Sequence, residues 1–317
     1  MSYYIKLVRR FIDCFMSIFN EKHFLNEKSA IKYVESIIWK NCKVCPHCKN
    51  DNQKRIYIIK SKTARAGLYK CADCKGQFTV KVGTVFEQSH IPLYKWLQAC
   101  ILVASSKKGG SAHQLHRTLE ITYKSAWFLA HRIREAMKEL SIEQLGGENK
   151  VVESNETFFC NEKDKPAGAR GWSHKNKILS LVERKGKIKS FHISNVNAAN
   201  IKPILKEILH KDTNLITDEA TWYKGMNKEF KTHKFVRHSA REYVKDGYIH
   251  TNTIEGYFGL FKRGMKGIYQ HCKSQHLKRY LCEFDFRYNH RGLNDKGIAT
   301  EIIANALGKR LKYRNSL

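Results

Sequence analysis

Apolar and polar positions along this chain follow two periods, and the switches between them mark out its segments. The first twenty residues, "MSYYIKLVRRFIDCFMSIFN", carry apolar patches between basic and acidic positions and predict an amphipathic helix within a segment 1–40. Residues 41–90 contain short alternating pieces, "KRIYIIKSK", "GLYKC" and "GQFTVKVGTVF", which predict strands. Over 91–147 the period becomes helical, broken at "KKGG", and in "TYKSAWFLAHRIREAM" the residues Ala126, Leu129, Ile133 and Met137 recur along one side. From 148 to 317 the strands "VVESNETFF", "KILSLVER" and "KIKSFHIS" precede a helix "NIKPILKEILH", the strands "NLITDEA" and "KFVRH", and then long helices.

Three strands in hairpin-like succession, then helix and strand in alternation, is the element order of an RNase H-like domain, so the fold class is α/β. In that fold the carboxylates that hold catalytic metal sit on the first strand, just after the fourth, and on a later helix. At those three places this chain offers Asn155, Asp218 and Glu255.

Charge narrows the partner. Lys and Arg number 58 against 29 Asp and Glu, a formal net charge of +29, which points to a polyanion and first to nucleic acid. A membrane is the rival, but apolar runs such as "ACILVA" are far too short to span a bilayer. The basic start of the chain is interrupted by Asp13 and lacks a small-residue cleavage site, so it does not read as a signal peptide. Ten cysteines in clusters then point to metal binding in a reducing, cytoplasmic setting rather than to disulfides.

Cys45 and Cys48, then Cys71 and Cys74, form two C-x-x-C pairs with 22 residues between them, the spacing of two hairpin tips that supply four thiolates to one Zn²⁺. Cys42 and Cys45 offer a competing register. The mirrored endings Cys48-Lys-Asn50 and Cys74-Lys-Gly76 favour the first, with Asn50 and Gly76 expected in left-handed turns. A zinc ribbon follows, since so small a β module needs the metal's binding energy to fold.

The region 91–147 reads as a helix-turn-helix. Thr122 is placed to cap its second helix, whose Arg132 and Arg134 either face a DNA major groove or belong to a packed pair of helices.

The stretches "CPHC", "YKCADCKGQFTVKVGTVFEQSHIPLYKWLQA", "VESNETFF", "LITDEATWY", "HTNTIEGYFGLFKRGMKGIY" and "HLKRYLCEFDFRYNHR" run in this order over nearly the whole length. As an ordered set they resemble the DDE-type insertion-sequence transposases with an N-terminal zinc ribbon, the ISXO2-like family related to Merlin elements. The resemblance implies an enzyme that binds its element's double-stranded DNA ends, cuts them and joins them to a target, acting as a homo-oligomer on DNA at the nucleoid, with Mg²⁺ or Mn²⁺ held by an acidic triad. Two such ions clamp the attacking and leaving oxygens of an in-line displacement at phosphorus, and hard cations want oxygen ligands.

On this resemblance Asp218 and Glu255 are metal ligands, Lys262 is the basic residue that follows the third acid, and Arg263 beside it joins Lys262, Arg132 and Arg134 in contacting DNA. Each has a plainer role available: Asp218 as a helix cap, Glu255 in a capping box with Asn252, and Lys262 as a solvated side chain. Asn252 is a substitute metal ligand if the helix starts differently. The family's pattern V-E-x-D-E-T aligns Asn155 with the first aspartate, so the chain departs from the triad there. Glu153 shares that strand face, and Glu156 points the other way. The reading is a transposase that Asn155 inactivates, or a zinc-ribbon DNA-binding derivative that no longer cuts.

Overall fold

A computed structural model describes residues 18–61, 63–139, 144–161, 171–172, 174–240, 244–270 and 272–312. The amphipathic helix expected at the start lies, through residue 17, outside the described residues. Helix α1 (Lys22–Leu25) leads into α2 (Glu27–Ile38), where Asn26 accepts a hydrogen bond from the Ser29 backbone N–H and Ala30, Ile31, Val34 and Ile37 form the buried stripe.

The ribbon follows as three short antiparallel strands in the order β1 (Ile56–Ile58), β2 (Tyr69–Cys71) and β3 (Gln77–Phe78). The expected third strand stops at Phe78 because the next apolar residues have a better place to go. Val80, Val85 and Phe86 leave the small ribbon core of Cys45, Ile56, Tyr69, Cys71 and Phe78 and enter the larger helical core.

That helical core holds α2, α3 (Leu93–Ser105), α4 (Ala112–Leu119) and α5 (Tyr123–Ala136). The α4–α5 pair turns at Glu120, whose φ is +50°, and Thr122 caps α5 by accepting from the Ser125 N–H, as expected.

The five-stranded sheet has the order β6 (Ile188–Ile193), β5 (Lys175–Glu183), β4 (Val151–Asn161), β7 (Asn214–Asp218), β8 (Thr232–Val236). The first three strands pair antiparallel and β4, β7 and β8 pair parallel, which is the RNase H-like arrangement. Alternation along β5 sends Leu179 and Leu181 to one face, under α6 (Ala198–Ile208). Ile178 and Val182 go to the other, under α7 (Asn252–Gly264) and α8 (Ser274–Asn289). A π turn, Met265–Tyr269, continues α7.

The last helix, α9 (Asp295–Ala304), corrects the expectation that everything after residue 148 belongs to the sheet domain. Its Ile298, Ala299, Ile302 and Ile303 pack in the core of α2, α3 and α5, because the apolar stripe of a short helix is buried wherever a matching surface remains open.

The two bodies meet at a buried ionic junction. Glu283 of α8 accepts from Arg134 of α5 (2.7 Å), from Arg287 (2.7 Å) and from the Tyr269 hydroxyl (2.7 Å). Burial pushes the Glu283 carboxyl up, but the two arginines outweigh it and hold the group near 2. Arg132 is buried too: it donates to the Glu87 carbonyl and lies over the Trp96 and Phe128 rings. Of the two alternatives open for these arginines, a DNA-facing helix or a packed one, the burial of both fits the packed one. Both arginines turn inward because Trp96, Phe128 and Glu283 satisfy them there, and α5 offers solvent only its first turn, with Tyr123 and Lys124 exposed.

Removing one partner of the junction strands a buried charge. Arg134→Ala should lower unfolding stability by about 3–5 kcal/mol in urea titrations. A loss of DNA affinity with unchanged stability would instead make Arg134 a groove contact. A second check uses Asp285, which accepts from Tyr257 (2.5 Å) and from the Ser190 hydroxyl (2.7 Å). Burial raises its pKa from 3.8 to about 7. A carboxyl raised on folding contributes stability at low pH and loses it as pH rises through the folded value. Stability should fall between about pH 4 and 7, and Asp285→Asn should flatten that slope in denaturation curves taken across the range.

Candidate active site and zinc centre

In the ribbon, the Cys45, Cys48, Cys71 and Cys74 side chains bring their Sγ atoms within 4.8 Å of one another. Among the described residues this is the one cluster of three or more His, Cys, Asp or Glu side chains able to hold a metal. Four thiolates at tetrahedral spacing fit Zn²⁺. Cys42 stands outside the cluster, which decides the register.

The two knuckles mirror each other, one residue earlier than the sequence suggests. The left-handed residues are Lys49 (φ 64°) and Lys75 (φ 60°), not Asn50 and Gly76. The Asn50 and Gly76 carbonyls instead accept from the N–H groups of Cys45 and Cys71, closing each turn. Gly76 is needed for space: a Cβ there would lie 2.7 Å from the His47 ring. Asn50 is needed for its side chain, which donates to Cys71 Sγ (3.6 Å) and to Asp73 (2.6 Å).

The candidate catalytic groups come from three elements. Val151, Glu153 and Asn155 share one face of β4, and the parallel pairing with β7 sets Glu153 beside Ile216. The pairing ends there, and Asn155 and Asp218 each lie two residues further along their strands, where the two strands run side by side. Asp218 ends β7 and accepts from the Ala220 N–H (3.1 Å). Across that face runs the start of α7, bearing Glu255, an exposed side chain that accepts from the Thr251 hydroxyl (2.8 Å). Thr251 is the N-cap residue and Asn252 is already helical, so the capping box expected between Asn252 and Glu255 does not form.

Glu153 performs the capping instead. Fully buried, it accepts from the Ile254 N–H (3.0 Å), the Thr253 hydroxyl (2.9 Å) and Arg184 (2.6 Å). A carboxylate so engaged at a helix N-terminus is favoured by the helix dipole and is not available to a metal. Arg184 also donates to the Tyr248 and His250 carbonyls, fixing the segment that enters α7.

Asn155 Oδ1 accepts from the next backbone N–H, that of Glu156 (2.7 Å). Glu156 points to the opposite face, as alternation requires, and accepts from Trp222 Nε1 (3.1 Å) and from the Tyr223 hydroxyl. Burial, with Asp218 nearby, raises its pKa to about 7. The role of Glu156 in tying β4 to the turn after Asp218 was not readable from sequence, because Trp222 and Tyr223 lie more than sixty residues away along the chain.

On α7, Lys262 is half-buried and Arg263 exposed. Burial lowers the Lys262 pKa, and the positive charges of Lys266 and Lys175 lower it further. Arg132 and Arg134 are buried in the interior described above.

A four-cysteine ribbon joined to an RNase H-like sheet defines a class of DNA-processing proteins. Residues 144–289 match the ISXO2-like transposase domain, and residues 25–77 match the transposase zinc-ribbon domain. The chain is also 25% identical over 283 residues to an uncharacterized protein in transposable element ISH50 of Halobacterium salinarum, an alignment covering 84% of this chain and 92% of that protein. It belongs to the insertion-sequence transposases that combine these two domains. The transposase match ends at residue 289, before α9, in keeping with the packing of α9 in the helical body. No described helix is long and apolar enough to cross a membrane.

One zinc per folded chain is the expected result of elemental analysis, and Cys71→Ser should lose the metal and melt the ribbon at lower temperature. Full zinc content in that variant would overturn the four-cysteine assignment.

Proposed function

We propose that this transposase binds DNA ends as an oligomer and that the amide of Asn155 holds back its metal-dependent strand cleavage and transfer. The observation that supports this is the parallel β4–β7 pairing, which runs to Glu153 and Ile216, with Asn155 and Asp218 each two residues further along and the first turn of the Glu255 helix tied to β4 through Glu153. Asp218 and Glu255 would hold Mg²⁺ or Mn²⁺. Such a metal, when bound, activates the attacking oxygen and stabilises the leaving one. Lys262, with Lys175 and Lys266, supplies positive charge to the phosphate, and the fixed start of α7 orients Glu255 towards it.

At position 155 the chain offers a neutral amide oxygen, already engaged with the Glu156 N–H. Hard divalent cations are held by charge, so this substitution weakens the site where two ligands should bridge from neighbouring strands. The same engagement favours the second reading, a DNA-binding derivative that no longer cuts.

The experiment compares Mn²⁺-dependent cleavage of supercoiled plasmid by wild type, Asn155→Asp and Asn155→Asp/Asp218→Ala. Asn155→Asp should cleave at least roughly a hundredfold faster than wild type, about 2.7 kcal/mol of barrier, and the double variant should be silent. The proposal is falsified if wild type already cleaves as fast as Asn155→Asp.

A further inference from the structure

Beside Asp218, at the C-terminal ends of the parallel strands β7 and β8, a cavity of about 330 Å³ opens to solvent. It lies towards the α6 face of the sheet, away from Glu255. The β7–β8 pairing sets Thr217 beside Phe235, so both side chains project to that face, where Thr217 Oγ1 meets His233 Nε2 at 2.9 Å. Phe235 is 41% exposed, unusual for an aromatic residue within a paired strand. Tyr223 closes the inner wall, and Asn227 and Lys224 stand exposed at the rim. The Arg237 guanidinium sits 5.8 Å from the Phe235 ring. Glu219 also lines the cavity, and its carboxylate accepts from the Ser239 N–H (3.0 Å) and hydroxyl (2.8 Å).

We infer that this cavity receives one unpaired nucleobase of the DNA strand whose phosphate lies at Asp218. The inference rests on the DNA-transposase reading and adds a ligand subsite to it. The volume is at the small end of ligand pockets and suits a single flat heterocycle. Phe235 supplies a stacking surface, the Asn227 amide can donate to and accept from a base edge, and Lys224 and Arg237 supply charge for the flanking phosphates. A base in a duplex cannot reach such a cavity without leaving its stack, and that cost is least for a strand already single. The site therefore selects an opened strand next to the reacting phosphate.

The test measures fluorescence anisotropy of the full chain with two probes of equal length and charge, a short thymidine oligonucleotide and an abasic oligonucleotide. Wild type should bind the thymidine probe about tenfold more tightly, the effect of stacking one base. Phe235→Ala should remove most of that preference while leaving abasic binding unchanged, and Phe235→Trp should restore it. Because Phe235 is exposed, its truncation leaves the core intact, which thermal unfolding verifies. No preference in wild type, or a preference that Phe235→Ala leaves whole, overturns the subsite. Failure of wild type to bind either probe would instead overturn the DNA reading beneath it.

Discussion

A carboxylate sealed from water must have its lone pairs satisfied, and Glu153 satisfies its own by joining three elements at once. It lies on β4, two residues before Asn155, and binds Arg184 after β5 together with the first turn of α7. The link fixes the distance between the strand that bears the first triad position and the helix that bears the third. Asp218 needs no such link, because the β7–β8 pairing carries it, opposite Val236. Breaking a buried charge pair by removing one partner typically costs about 3–5 kcal/mol, so the start of α7 is held at a cost the protein cannot easily forgo. The arrangement of β4 and the first turn of α7 is thus held by a buried carboxylate whose hydrogen bonds are taken up by Arg184, Thr253 and Ile254.

A second buried carboxylate does for the whole molecule what Glu153 does for the site. Glu283 joins α5 of the helical body to α8 of the sheet domain through Arg134, and α9 returns from the sheet domain to finish the helical core. The ribbon connects to the same core through Val80, Val85 and Phe86. The ribbon and the α4–α5 pair are therefore tied to the sheet through packed apolar contacts and through the ion pairs Arg134–Glu283 and Arg279–Glu135.

Much of this was legible in the chain. Cysteine spacing alone identifies the ribbon, because four thiolates around one ion impose strict geometry on few residues. The strand order followed from period and order, since a strand's alternation and a parallel register leave little freedom. Arg132 and Arg134 misled because helical period shows which residues share a side, not whether that side meets solvent or another element. The destination of α9 was hidden for the same reason: its partners, in α2 and α3, lie some two hundred residues earlier. The capping role of Glu153 was hidden, because Thr253 and Ile254, which it binds, lie a hundred residues further along the chain. The ribbon's turns were displaced by a single residue, where Lys49 and Lys75 adopt a left-handed conformation that sequence assigns more readily to Asn and Gly.

The central claim is that position 155, and not Glu153, is where the metal site lacks its charge. The most direct measurement is anomalous diffraction from crystals of Asn155→Asp soaked in Mn²⁺. The account predicts a manganese peak between the carboxylate introduced at position 155 and that of Asp218, with Glu153 still bound to Arg184 and to the Ile254 N–H. A manganese ion on Glu153, with its links to Arg184 and α7 broken, would contradict it.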